Sequence, residues 1–269
     1  MGYFDDETSG PPPGEAPPVG HPLRFTVIAH GDRSVLGPIS RERLDGLVAR
    51  TLLERGDHVL ELGCGKGDLL ARLLSRWPES TADGFDRNPW FLTAARAAAE
   101  RAGVASRVSF IETDAPGALV ADRSAAMGVA MGASGILGDH AATVAGLARA
   151  TRPGGVVLFG DGVWIREPLS SGLASFGMTR DELPDGPDGF AGLGVEAGLE
   201  VIDVEIVDEA EWDAYEDSYT GAIERWAAAN TSDPEAEAFL ARAQLFRSSY
   251  AEWRRDALGF AVARFRVPA

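Results

Sequence analysis

Val59-Leu60-Glu61-Leu62-Gly63-Cys64-Gly65-Lys66-Gly67 decides the fold of this 269-residue chain. Residues 58–62 read as a short apolar strand and residues 63–67 as a turn. Residues 68–77 read as a helix, with Leu69, Leu70, Leu73 and Leu74 on one side and Pro78 just past the end. Glycine takes positive φ and lets a ligand approach the backbone closely. A helix starting near Asp68 turns free N–H groups and the positive end of its dipole toward that turn. The arrangement suits a polar or anionic group of a bound nucleotide or amino acid. The plainer reading is a tight turn without a ligand, which three alternate glycines do not require.

The same alternation continues outward. Residues 81–86, 108–112, 126–130 and 156–159 read as strands. Between them lie an Ala-rich helix over 89–102 closed by Gly103, a short helix or turn over 119–122, and a helix over 140–150. Pro153-Gly154-Gly155 reads as the turn before the fifth strand. Strands separated by single helices predict right-handed crossovers and a mostly parallel sheet. Upstream, Ser40 is placed to cap a helix carrying Leu44, Leu47, Val48, Leu52 and Leu53, which Gly56 would end. The run 22–38, which contains His30, has no clear secondary structure.

After Phe159 the rhythm changes. Gly, Pro and Asp clusters surround short helical pieces over 160–198. Residues 199–207 and 258–267 complete seven strands, and a long helical stretch over 209–256, broken near 230–234, separates these last two. The expectation is an α/β fold with a mostly parallel seven-stranded sheet, helices on both faces and a helical cap insertion. One domain would span 21–269, with cap segments 160–198 and 209–257. Residues 1–20, with five prolines, four acids and no base, are expected to form a disordered acidic tail.

Composition narrows the function. The chain has 41 acidic residues against 25 basic ones, a net charge of −16, and a single lysine, Lys66. Such a surface repels phosphate backbones, which argues against nucleic acid. One cysteine, Cys64, excludes an intrachain disulfide and a Cys-rich metal site. The four histidines are scattered, so no metal is expected. No apolar run reaches membrane length and no signal core opens the chain, so no membrane partner and a cytoplasmic location are expected.

The glycine spacing selects the ligand. G-x-G-x-G fails the dinucleotide fingerprint G-x-G-x-x-G, and Lys66 lacks the Ser or Thr of a phosphate-binding loop. Glu61 followed by Gly63, Gly65 and Gly67 resembles motif I of the class I S-adenosylmethionine-dependent methyltransferases, whose fold is Rossmann-like. The resemblance spans roughly residues 30–267. Residues 208–215, 226–230 and 250–260 look similar to a bacterial subgroup of uncharacterised small-molecule methyltransferases. It implies S-adenosyl-L-methionine as cofactor, with Glu61, Gly63, Cys64, Gly65 and Gly67 at its turn.

Asp86, at the end of the second strand and nineteen residues beyond Gly67, would take the ribose hydroxyls, or with Asn88-Pro89 cap the next helix. Asp114 would meet the adenine amino group, and Ala115 would offer its backbone N–H to the ring. The small residues around Met131 would let methionine and the acceptor approach. Family members often carry an Asp at the start of the fourth strand, where this chain has Ala125 and Ala126.

Methyl transfer from a sulfonium is an in-line displacement, so the protein must hold the acceptor on axis and remove its proton where there is one. His140, in Gly138-Asp139-His140, is the first candidate base, or else merely opens a helix capped by Asp139. His30 is the second, or else a packing histidine. Asp161 follows the fifth strand at the sheet edge where ligands bind. Tyr215 and Tyr219 share a face of the insert and either close over substrate or pack. Cys64 suits its turn by small size. The expected activity is methyl transfer to a small organic acceptor. The alternatives are a protein or RNA acceptor, or a non-catalytic binder of S-adenosylmethionine or S-adenosylhomocysteine. The apolar C-terminal helices suit a homodimer interface as well as a lid.

Overall fold

Strict two-residue alternation in the central strands gives the sheet two apolar faces. Val59, Leu158 and Phe260 belong to one buried cluster, and Leu60, Leu62, Val157, Phe159 and Phe265 to the other. The structure, a computed structural model, describes residues 15–31, 33–118 and 120–269. Its strands are β1 (His58–Leu62), β2 (Thr81–Asp86), β3 (Val108–Glu112), β4 (Ala125–Met131), β5 (Thr151–Trp164), β6 (Glu200–Ile206) and β7 (Leu258–Arg266). They form a seven-stranded sheet in the order β3-β2-β1-β4-β5-β7-β6. β1 to β5 pair in parallel, and β7 runs antiparallel between β5 and β6.

The helices are α1 (Arg24–His30), α2 (Arg41–Arg50), α3 (Asp68–Arg76), α4 (Pro89–Arg101), α5 (His140–Ala150), α6 (Ser170–Phe176), α7 (Gly186–Glu196), α8 (Glu209–Ala229), α9 (Ala236–Ser249) and the single turn α10 (Arg255–Ala257). The leucines of α2 and α3 fill the first cluster. Val144 and Leu147 of α5 and Phe190 of α7 fill the second. Side chains cap three of these helices as their sequences suggest. Ser40 accepts from the N–H of Arg43, Asn88 from those of Trp90 and Phe91, and Asp139 from that of Ala142.

Five local expectations are corrected. The run 22–38, unassigned from sequence, contains α1. α2 stops at Arg50 rather than Gly56, because Thr51 turns extended and bonds its hydroxyl back to the Leu47 carbonyl, leaving Leu52 exposed. β5 is much longer than 156–159, so residues 160–164 of the expected cap segment are strand. Pro153-Gly154-Gly155 is a bulge inside β5: Ala125 faces Thr151 and Met127 faces Val156, and a Cβ at Gly155 would lie 2.7 Å from the Ala126 carbonyl. The short helix or turn expected over 119–122 is divided: a single helical turn lies over Pro116–Ala118, a turn lies over 122–123, and Leu119 lies outside the described residues.

Residues 1–14 of the expected tail also lie outside the described residues. The rest of that stretch is fastened: Pro17 is buried, Ala16 packs near α1, and the N–H of Gly20 donates to Glu235. The cap is held as one body. Phe25 and Ile28 of α1 pack on Ile223 of α8 and Ala243 of α9, with Tyr219, Phe239 and Phe246 around them. Buried Arg24 bridges to Asp233 and Glu235 in the α8–α9 turn. A π-helical stretch, Tyr250–Arg254, follows α9, and Trp253 packs on Leu173 of α6. Among the described residues, no helix is long and apolar enough to cross a membrane.

Close packing of α7 on the sheet depends on Gly194, where a Cβ would lie 2.2 Å from the fully buried ring of Phe265. Gly194→Ala is expected to cost about 1–3 kcal/mol by overpacking. Urea denaturation checks this, and an unchanged midpoint would place α7 off the sheet.

Candidate active site

The turn after β1 is shaped by the end of β2. The N–H groups of Gly63 and Cys64 both donate to the Phe85 carbonyl, at 2.7 and 2.9 Å. The Asp86 carboxylate accepts from the N–H of Gly65 at 2.8 Å and from that of Asn88 at 2.9 Å. All three glycines have positive φ. At Gly63 a Cβ would lie 2.4 Å from that of Ala133, so no side chain fits there, and at Gly65 it would press on a Leu36 methyl at 2.7 Å. Backbone therefore forms the floor of a cavity of about 750 Å³.

This cavity brings together His30, Glu61, Gly63, Cys64, Gly65, Asp86, Asp114 and Met131 from the sequence expectations. Glu61 is buried, and its Oε2 has no hydrogen-bond partner. Burial, with Asp86 and Asp68 nearby, pushes its carboxyl well above the usual carboxylate range. Burial also raises Asp86, although its two backbone N–H bonds oppose that. Asp68 and Asp114 line the same space, as do Lys66 and Arg87, so acidic side chains outnumber basic ones there.

His30 ends α1 and lines the cavity together with residues of the strap 33–39. Its Nδ1 bonds the Thr26 carbonyl at 2.8 Å, which leaves Nε2 as the acceptor for the Tyr215 hydroxyl at 3.4 Å. Burial, helped by the charges of Lys66 and Arg33, lowers its pKa to about 4, so the ring is neutral at pH 7. Tyr215 is not among the residues that line the cavity, and burial raises its pKa.

Five expected site residues stand apart from the cavity lining. Gly67 serves packing: a Cβ there would meet Phe110 and Ala95 at about 3 Å. The N–H of Ala115 is taken by the Thr113 hydroxyl at 3.1 Å. His140 opens α5 and is absent from that lining; it is buried edge-on against Phe159, with ring centroids 5.9 Å apart, and its Nε2 has no hydrogen-bond partner among the described residues. Asp161 spends its carboxylate on the N–H groups of Ser134 and Gly162, at 2.8 and 2.6 Å, and so fixes the loop after β4. Tyr215 reaches the cavity only through His30. Cys64 lines the turn as a small buried thiol whose pKa is pushed up by burial, as its size suggested.

Beyond His30, the sequence reading named no residue of the strap. Ser34, Val35, Leu36, Gly37 and Ile39 roof the glycine turn, with Phe91, Ile136 and Phe260 closing the sides. The apolar pair Val35-Leu36 between Gly31 and Pro38 was the available signal.

Comparison with known proteins agrees with this geometry. The methyltransferase domain family matches residues 59–155. The chain is 31% identical to a SAM-dependent methyltransferase from Geobacter sulfurreducens, solved with S-adenosyl-L-homocysteine, over 91% of this chain and 98% of that one, with a TM-score of 0.83. A counterpart from Thiobacillus denitrificans, also solved with S-adenosyl-L-homocysteine, is 30% identical over 93% and 99% of the two chains, with a TM-score of 0.82. The uncharacterised protein YjhP of Escherichia coli K12 is 28% identical over 242 residues, 89% of this chain and 96% of its own length. Likeness of this extent, in sequence and backbone together, makes the chain a member of the class I S-adenosylmethionine-dependent methyltransferases.

Proposed function

We propose that this methyltransferase acts on a small organic acceptor, by in-line displacement, within the roofed cavity over the glycine turn. The observation that carries the reading is a partly roofed cavity of limited size. About 750 Å³ lies within the range of small-molecule sites, roughly 300–1,000 Å³. Apolar Leu36, Phe91, Ile136 and Phe260 wall it, which suits an organic molecule better than a bare ion or a polymer. The orphaned Glu61 oxygen fits a cationic ligand, since a buried carboxyl without a partner gains most from one.

When bound, S-adenosylmethionine supplies the electrophilic methyl group. Glu61 and the glycine backbone would hold its amino-acid end, Asp86 its ribose and Asp114 its adenine edge. Met131 and Gly132 flank the space left for an acceptor. His30 presents an imidazole with its tautomer fixed by Thr26. A base with a pKa of about 4 removes few protons at pH 7, so its work is to accept an acceptor's hydrogen bond and aim the lone pair. An acceptor hydroxyl or amine would replace the long bond from Tyr215. Incubation with S-adenosylmethionine and a panel of small acceptors is expected to yield S-adenosylhomocysteine. Binding without turnover across the panel, or a stoichiometric protein or RNA recovered with the enzyme, would reject the small-acceptor reading.

Asp86→Ala is expected to weaken S-adenosylhomocysteine binding by about 1–3 kcal/mol, the cost of charged hydrogen bonds. Calorimetric titration of the folded variant checks it, and unchanged affinity removes Asp86 from the site. With an acceptor in hand, His30→Ala should lower kcat/KM on the order of 100-fold, while His140→Ala leaves it near wild type. The reverse order would return the catalytic role to His140.

His30 also makes stability depend on pH. Its folded pKa of about 4 lies below the ordinary 6.5, so the unfolded chain binds a proton first as pH falls. The stabilisation is complete above pH 6.5 and is lost progressively down to pH 4, on the order of 3 kcal/mol. Denaturant midpoints of wild type and His30→Phe across this window measure it. Parallel curves would show that His30 is not buried neutral.

A further inference from the structure

Both ends of the strap 33–39 are tied to one face of α8. At its start, the Tyr215 hydroxyl meets His30 Nε2 at 3.4 Å, and the Arg33 guanidinium lies over the Tyr215 ring, 5.1 Å from its centre. At its end, the N–H of Ser40 donates to Glu211 Oε1 at 2.7 Å. Glu211 and Tyr215 are four residues apart, so they share a face of the helix. The Glu211 carboxylate is itself fixed: Arg43 Nε donates to Oε2 at 2.8 Å, and the same guanidinium reaches Glu205 of β6.

Side chains, not backbone pairing, hold the strap. Among the described residues, no N–H of residues 34–39 donates to a backbone carbonyl. Arg33 instead gathers the carbonyls of Val35 and Gly37, at 3.2 and 3.4 Å, and Ile39 is buried in the same cluster as Leu44. Between these anchors a Leu36 methyl presses on the glycine turn, 2.7 Å from where a Cβ at Gly65 would sit. Burial works to raise the Glu211 carboxyl, yet the bonds from Arg43 and Ser40 outweigh it and hold the group below the usual carboxylate range. Glu211 is therefore charged at pH 7, and hydrogen bonds to charged groups are the stronger ones.

We infer that Glu211 is a positioning residue for the methyl transfer: by holding Ser40 it keeps the strap on the glycine turn and sets how tightly the cofactor is enclosed. The inference rests on the reading of this cavity as the cofactor site. Release of the cofactor lifts the strap from Gly65, and the bond at Ser40 resists that movement. The C-terminal insert thus governs a roof that lies 171 residues earlier in the chain, through one carboxylate.

The test chases labelled S-adenosylhomocysteine from the full chain with excess unlabelled ligand, and urea midpoints confirm that each variant is folded. Glu211→Ala is expected to release the ligand roughly tenfold faster, the scale of one hydrogen bond to a charged group. Glu211→Gln keeps an acceptor for Ser40 and should stay within about threefold of wild type. Asp208→Ala removes the other half of the α8 capping box and a second Arg43 partner but leaves the Ser40 bond, so it should lower the urea midpoint without speeding release. Ser40→Pro and Ser40→Ala approach the same bond from its other side. Both lose the hydroxyl that caps α2, but only proline lacks the N–H, so only Ser40→Pro should release faster. That pair carries the test if Glu211→Ala does not fold. Unchanged release from Glu211→Ala, equal acceleration in Asp208→Ala or Glu211→Gln, or equal rates in the Ser40 pair overturns the inference. A wild type that binds no S-adenosylhomocysteine would fall on the cavity as cofactor site and take this inference with it.

Discussion

The site depends on one carbonyl and one carboxylate. The Phe85 carbonyl accepts two successive N–H groups of the glycine turn, and Asp86 beside it accepts a third. Because β1 and β2 pair in parallel, with Leu62 opposite Phe85, both groups arrive where the turn begins. The sheet therefore sets the turn's curvature, and the turn sets where α3 points. A bound ribose competing for Asp86 would have to share a carboxylate already in structural use. That links ligand binding to the shape of the loop beneath it.

Most of the framework was readable in the chain because its signals are local. The strands around Glu61 and Asp86 lie between glycine or proline stops, and the leucines of α3 mark its buried face. β1, β2 and β3 begin and end at the residues their patterns indicate. β5 was under-read because Pro153-Gly154-Gly155 has the composition of a turn, yet β7 supplies partners on the far side: the N–H of Gly154 donates to the Val267 carbonyl. A nonlocal partner of that kind leaves no trace in local composition.

The site residues divide in the same way. Glu61, Gly63, Gly65 and Asp86 follow from position at strand ends, so motif spacing finds them. His140 and Asp161 also sit near strand ends, but the His140 ring packs against Phe159 and the Asp161 carboxylate is taken by the N–H of Ser134. Only packing reveals that. His30 was ambiguous because α1 is seven residues, about two turns, and is held by packing against the cap. Gly67 carries a fingerprint glycine for a reason other than ligand approach: the rings and methyls of α4 and β3 press against it.

The joining of α1 to the C-terminal insert has a consequence for biosynthesis. Phe25 leaves the ribosome well before its partners Phe239 and Phe246, which come more than two hundred residues later. At about 5–20 residues per second, roughly 10–40 s separate them. β7, which joins β6 to the rest of the sheet, is later still. A nascent chain thus completes its nucleotide-binding floor well before its roof. During that interval the apolar face of α1 and the open flank of β5 are what a chaperone would have to shield.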